Sequence, residues 1–107
     1  MNVITNNHLK CTAALALLQN VYDPEIGLNV VDLGLVYQLD FDEENKKVIC
    51  TMTLTTQFCP MGESIVDNVK AMLQSGFIEY IIELNLTFNP PWNHERISEE
   101  GKSFLNG

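Results

Sequence analysis

Two alternating runs joined by a charged pentapeptide constrain this chain more than any other feature. From Val36 to Asp42, Tyr37, Leu39 and Phe41 fall on one side, and Gln38, Asp40 and Asp42 on the other. From Val48 to Thr55, Val48, Cys50, Met52 and Leu54 oppose Ile49, Thr51, Thr53 and Thr55. A period of two is the signature of a strand with one covered face. Between the runs, Glu43-Glu44-Asn45-Lys46-Lys47 reads as a polar hairpin tip. The natural arrangement is an antiparallel pair with helices packed on its apolar side.

The flanking segments supply those helices. Asn6 and Asn7 are candidate N-caps for a first helix, in which Leu9, Thr12, Ala13, Ala16, Leu17 and Asn20 follow one stripe. Leu15, Leu18 and Val21 broaden its apolar arc, and Asp23-Pro24 stops it, since the residue before proline is pushed out of the α region. Pro60 suits the first position of a second helix, with Met61, Ile65, Val69, Met72 and Leu73 as the buried stripe and Gly76 as its C′ residue. Glu63, Asp67, Lys70 and Gln74 face water. A third strand runs from Tyr80 to Phe88, with Tyr80, Ile82, Leu84, Leu86 and Phe88 on one face. Asn89-Pro90-Pro91-Trp92 breaks it, and Ser98-Glu99-Glu100 opens a last short helix through Leu105. The order is α-β-β-α-β-α: an α+β fold, residues 1–107 forming a single domain with a three-stranded sheet covered by helices.

Composition narrows the function classes. At 107 residues the chain has room for one core, and 46% apolar content is too high for a disordered segment. No run approaches the ~20 apolar residues of a membrane span. Fourteen acids against six scattered bases give a net charge of −8, so nucleic acid is not an expected partner. Cys11, Cys50 and Cys59 show no CxxC spacing, which disfavours a disulfide framework or a self-contained zinc site. With no secretory pattern in the first residues, the expected location is the reducing cytoplasm, where thiols stay free.

Cys59 is the principal candidate for chemistry. It precedes Pro60 and so falls at the expected N-cap, where unpaired N–H groups and the helix dipole favour the thiolate. Thiolate is both the nucleophile and the metal ligand. Cys11, in an apolar helix, and Cys50, on an inward strand face, read as buried and inert. A Cys50–Cys59 bridge is disfavoured, because a strand from Cys50 to Thr55 covers about 17 Å and the chain would have to fold straight back. Asp23, Glu25 and Asp32 lie in or beside the long apolar loop 25–34, as hard ligands, as a base for the thiol, or simply as turn formers. Thr55 and Thr56 approach Cys59, and Trp92 is either a core plug or a contact surface. His8 and His94 have no ligand spacing and read as surface residues.

Asp23-Pro24-Glu25, Val31-Asp32-Leu33-Gly34-Leu35-Val36-Tyr37, Thr53-Leu54-Thr55-Thr56-Gln57-Phe58-Cys59-Pro60 and Pro90-Pro91-Trp92 together resemble the SufT- and PaaD-like iron–sulfur assembly family. Ser98-Glu99-Glu100-Gly101-Lys102 resembles that family's closing segment. The resemblance implies a maturation factor for iron–sulfur proteins, not an enzyme. In it Cys59 is the reactive or cluster-associated thiol, Asp23, Glu25 and Asp32 form the site, and Thr55, Thr56 and Trp92 are its neighbours. The implied cargo is iron or an iron–sulfur cluster, held transiently; the implied partners are the assembly machinery and apo client proteins. PaaD-like members carry a cysteine-rich tail that the end Asn106-Gly107 lacks, which favours the SufT-like branch.

Clusters take about four thiolates, and one chain offers one candidate. A cluster would therefore be shared across a homodimer, completed by carboxylates or a small thiol, or handed on at once. The alternative is an adaptor in iron–sulfur or oxygenase-complex assembly whose loop 26–36 and Trp92 dock partners, with Cys59 incidental. A thiol enzyme ranks last, because neither histidine has a route to Cys59 as a base.

Overall fold

The computed structural model describes residues 3–56 and 62–106. The elements are β1 (Ile4–Thr5), α1 (His8–Leu18), β2 (Val36–Asp42), β3 (Lys47–Met52), α2 (Gly62–Gly76), β4 (Ile81–Leu86), a 3₁₀ turn (His94–Arg96) and α3 (Glu99–Asn106). The sheet has the order β1-β2-β3-β4, with β2 and β3 antiparallel and both outer pairs parallel. Helices α1 and α2 pack against each other, α1 on β2 and α2 on β4. Leu18, Leu39, Val48, Cys50, Met52, Ile65, Val69 and Leu73 close the core between the layers. On the other face Gln38, Asp40, Ile49 and Thr51 are half-buried and Glu83 and Asn85 exposed, the asymmetry typical of antiparallel sheets.

The hairpin forms as expected, and its tip shows why. Asp42 accepts from the amide and side chain of Asn45 at 3.1 and 2.9 Å, and Lys46 takes a left-handed φ of 54°. Tyr80 stacks beneath Lys10 and Lys46, each ammonium 5.1 Å from the ring centroid, and its hydroxyl bonds Glu43, which also pairs with Lys10. Helix α1, the hairpin tip and the entry to β4 meet there.

The sheet has four strands rather than three. β1 is too short to show a period, and a side chain fixes it: Asn6 donates to the Phe41 carbonyl at 3.0 Å and accepts from the Phe41 amide at 2.9 Å. Its neighbour Asn7 is the N-cap of α1, accepting from the Lys10 amide at 3.1 Å. The buried face of α1 is Cys11, Ala14 and Leu18, not the stripe through Leu9, which is 87% exposed. That helix is apolar nearly all round, so periodicity could not choose its inner face.

Tyr37 also leaves its expected place. The register of β2 against β3 shifts between Val36 and Gln38, so Val36 turns inward while Tyr37 is half-buried. The freed ring lies 4.1 Å beneath the Arg96 guanidinium, and its hydroxyl donates to the Pro90 carbonyl at 2.8 Å. Gly76 is the last residue of α2 rather than a left-handed C′, and a Cβ there would press into Leu17 of α1. β3 and β4 end at Met52 and Leu86, short of Thr55 and Phe88.

Candidate functional site

The long loop between α1 and β2 builds two stacked turns. Asp23 is 2% exposed, and its carboxylate accepts from the Glu25 amide at 2.9 Å while its carbonyl accepts from the Gly27 amide at 2.8 Å. Tyr22 bridges Asn29 across this first turn. Asn29 then opens the second: its side-chain oxygen accepts from the Asp32 amide at 2.9 Å, and its Nδ2 donates to Asp32 Oδ2 at 2.8 Å. Leu28, Val30, Val31, Leu33, Leu35 and Val36 plug the core beneath. The loop packs down as its composition suggests. Apart from the half-buried Ile26, its apolar side chains are thereby committed to the protein's own interior.

The C-terminal segment closes over the second turn. Asp32 Oδ1 accepts from Ser98 Oγ at 2.9 Å, the Asp32 carbonyl from the Ser98 amide at 2.7 Å, and Ser98 Oγ from the Gly101 amide at 3.0 Å. Ser98 therefore caps α3 and binds Asp32 through one hydroxyl. Trp92, half-buried, donates its indole N–H to the Leu33 carbonyl at 2.6 Å, and its ring lies 5.1 Å from that of His94. Gly34 is left-handed at φ +75°, where a Cβ would stand 2.7 Å from Arg96 Cβ. An open cleft of about 1280 Å³ runs between the loop and this segment, bordered by Tyr22, Asp32, Arg96, Ser98 and Glu99.

The sequence-derived site residues thus separate. Asp23, Asp32 and Trp92 join one network through Tyr22, Asn29 and Leu33, in which they hold the fold. Glu25 is exposed beside it. Thr55 is half-buried and Thr56 exposed, leading into residues 57–61, and the Thr53 amide ties that approach to the loop through the Leu35 carbonyl at 2.8 Å. Cys59 and the expected Pro60 start of α2 lie outside the described residues. Asn29 escaped the sequence reading, though its spacing of three residues from Asp32 is the signal that would have found it. Arg96 gave none, since its partners come from the tertiary fold.

The other thiols do not suit cargo. Cys11 is 5% exposed and Cys50 fully buried. Burial pushes the Cys50 thiol up to about 12, with repulsion from Cys11 a smaller contribution, and raises Cys11 against the lowering effect of its hydrogen bond with Thr5. Neither forms thiolate near neutrality. Among the described residues no three His, Cys, Asp or Glu side chains gather as a metal-holding group. None of the described helices is long and apolar enough to cross a membrane. His8 and His94 are exposed.

A family model described as iron-sulfur cluster assembly protein matches residues 12–76, from α1 through α2. The chain belongs to this iron-sulfur cluster assembly family. It is 41% identical over 91 residues to the Fe-S protein maturation auxiliary factor YitW of Bacillus subtilis, covering 85% of this chain and 88% of that protein. It is 42% identical over 87 residues to the Fe-S protein maturation auxiliary factor SufT of Staphylococcus aureus, covering 79% of this chain and 96% of that one. The crystal structure of a domain of unknown function, DUF59, from Bacillus anthracis is similar at a TM-score of 0.82 and 43% identity, over 89% of this chain and 90% of that chain. The family's α+β architecture is therefore shared with an experimentally determined fold.

Proposed function

We propose that the chain is a maturation factor for iron–sulfur proteins that carries or presents iron or a cluster through Cys59, without catalysing a reaction. The observation that carries this is the family membership, with relatives named as auxiliary maturation factors aligned over most of their length. The thiol assignment is supported by elimination, because Cys11 and Cys50 are sealed and held protonated. In sequence Cys59 lies between Thr55–Thr56 and α2, which begins at Gly62, and a thiol held near a helix N-terminus would be favoured as thiolate. Glu25 is the exposed acid available to the cargo, whereas Asp23 and Asp32 act by shaping the loop. A single thiolate supplies about a quarter of a conventional cluster's ligands, which suits brief custody between the assembly machinery and an apo client in the cytoplasm.

The test is complementation of a strain lacking its own such factor, scored by the activity of iron–sulfur enzymes. Wild type is expected to restore activity and Cys59→Ala to fail while unfolding at the same urea midpoint. Anaerobic reconstitution should leave iron and sulfide on wild type and none on Cys59→Ala. Full restoration by Cys59→Ala would overturn the thiol role and leave the adaptor reading.

A further inference from the structure

The chain between β4 and α3, residues 87–98, crosses the end of the sheet where β3 stops and β2 starts. At its near end the Thr87 amide donates to the carbonyl of Met52, the last residue of β3, at 2.9 Å. Further along, the Pro90 carbonyl accepts from the Tyr37 hydroxyl at 2.8 Å and the Trp92 indole N–H holds the Leu33 carbonyl at 2.6 Å. Arg96 lies with its backbone against Gly34 and its guanidinium over the Tyr37 ring. At the far end the Ser98 amide meets the Asp32 carbonyl at 2.7 Å. Among the described residues no strand forms within this segment, and 89–91 and 93–96 are exposed. Its middle hangs on contacts made by the single side chains of Tyr37, Trp92 and Arg96, not on a ladder of backbone bonds. Segments held in this way open locally, without global unfolding.

Leu33-Gly34-Leu35 is gripped from two sides. Residues 92 and 96 take Leu33 and Gly34, while the Thr53 amide takes the Leu35 carbonyl at 2.8 Å. Thr53 follows Met52, whose carbonyl Thr87 already holds, so the first residue to leave β3 is bracketed between Thr87 and Leu35. It is fully buried there, and Thr55 and Thr56 come next. We propose that residues 87–98 are a conformational strap that positions the Thr53–Thr56 approach, and that its opening frees this approach and the thiol that follows in sequence. The proposal rests on the reading of Cys59 as the cargo thiol. Closed, the strap gives the approach one position, suited to custody; open, it lets the approach swing and the cargo leave. Tyr37 and Trp92 are positioning residues, since each acts on the approach through the strap and the loop.

The test compares the full wild-type chain, in reductant, with two variants. Trp92→Phe removes the indole N–H; Tyr37→Phe removes one hydroxyl and keeps a ring beneath Arg96. Amide hydrogen exchange by NMR reads the coupling. Each variant should lower protection of the Ser98 amide about three- to tenfold, the effect of one lost hydrogen bond, and of the Thr53 amide by the same factor. The amide of Cys50, in the middle of the sheet, should keep its wild-type protection. Iodoacetamide at neutral pH reads the consequence: Cys59 should label about three- to tenfold faster in both variants, with Cys50 still unlabelled. A merely structural role would move Cys50 along with Cys59, because global unfolding bares both. Thr53 protection that stays put while that of Ser98 falls overturns the proposal. So does a fall at Cys50 equal to that at Thr53, or Cys59 labelling that is unchanged or slower. Complementation by Cys59→Ala tests the cargo reading separately: success there would remove cargo from the account and leave the exchange coupling to be judged on its own.

Discussion

Gly34→Ala tests how the C-terminal segment is held to the loop. Gly34 sits at φ +75°, a conformation that costs an L-residue roughly 1–2 kcal/mol. An added Cβ would also stand 2.7 Å from Arg96 Cβ and 2.9 Å from the Arg96 carbonyl carbon, and closer still to its oxygen. Backbone cannot swing aside as a side-chain tip can, so the 3₁₀ turn must retreat. Retreat stretches the Ser98 amide bond to the Asp32 carbonyl (2.7 Å), the Ser98 hydroxyl bond to Asp32 Oδ1 (2.9 Å) and the Trp92 indole bond to Leu33 (2.6 Å). Each contributes about 0.5–1.5 kcal/mol, so losing all three together with the strain costs about 2.5–6.5 kcal/mol. Gly27→Ala is the matched control: its φ is +86°, but a Cβ there meets only the Phe104 ring at 3.8 Å, so about 1–2 kcal/mol of strain is the whole cost. The assay is urea unfolding followed by the fluorescence of Trp92, the single tryptophan, which reports the segment directly. Equal losses in the two alanine variants, or unchanged native emission in Gly34→Ala, would refute the close-packing argument.

Three further outcomes are expected. Asp32→Ala and Ser98→Ala should each destabilise by about 1–2 kcal/mol, with a coupling near 1 kcal/mol in a double-mutant cycle; additive losses would show that the hydroxyl–carboxylate bond contributes nothing. Cys50 should impose an alkaline limit: its folded value of about 12 lies above the unfolded value near 9, so its stabilisation is complete below pH 9 and is lost as pH rises toward 12. The loss is on the order of 1.4 kcal/mol per pH unit, and Cys50→Ala should remove that slope from the urea-derived stability curve. Iodoacetamide at neutral pH should label Cys59 alone in the folded chain, since Cys11 and Cys50 are buried; labelling of Cys50 at a comparable rate would contradict its burial.

Periodicity located the hairpin, the second helix and the proline break because each is a local pattern with a local cause. The first helix was legible as a helix, yet its inner face was not, since leucine and alanine surround it and only packing on β2 chooses Cys11, Ala14 and Leu18. For the site, the motif strings drew attention to the loop, and the residues left its acids open between ligands, a base for the thiol and turn formers. In the fold Asp23 accepts from the Glu25 amide and Asp32 pairs with Asn29, both local spacings, whereas Ser98 lies 66 positions from Asp32 and leaves no spacing to read.

Chain order and residue type were enough to establish the kinds of element, the commitment of the apolar loop to the core and the family, because these follow from nearest-neighbour chemistry and from strings that survive alignment. The fourth strand, the bulge that releases Tyr37 to Arg96, and the closure of residues 92–101 over the Asp32 turn were settled by the folded molecule alone. Each depends on the close approach of remote backbone, where a single carbonyl or a missing Cβ determines what fits, and that geometry exists only once the chain has folded.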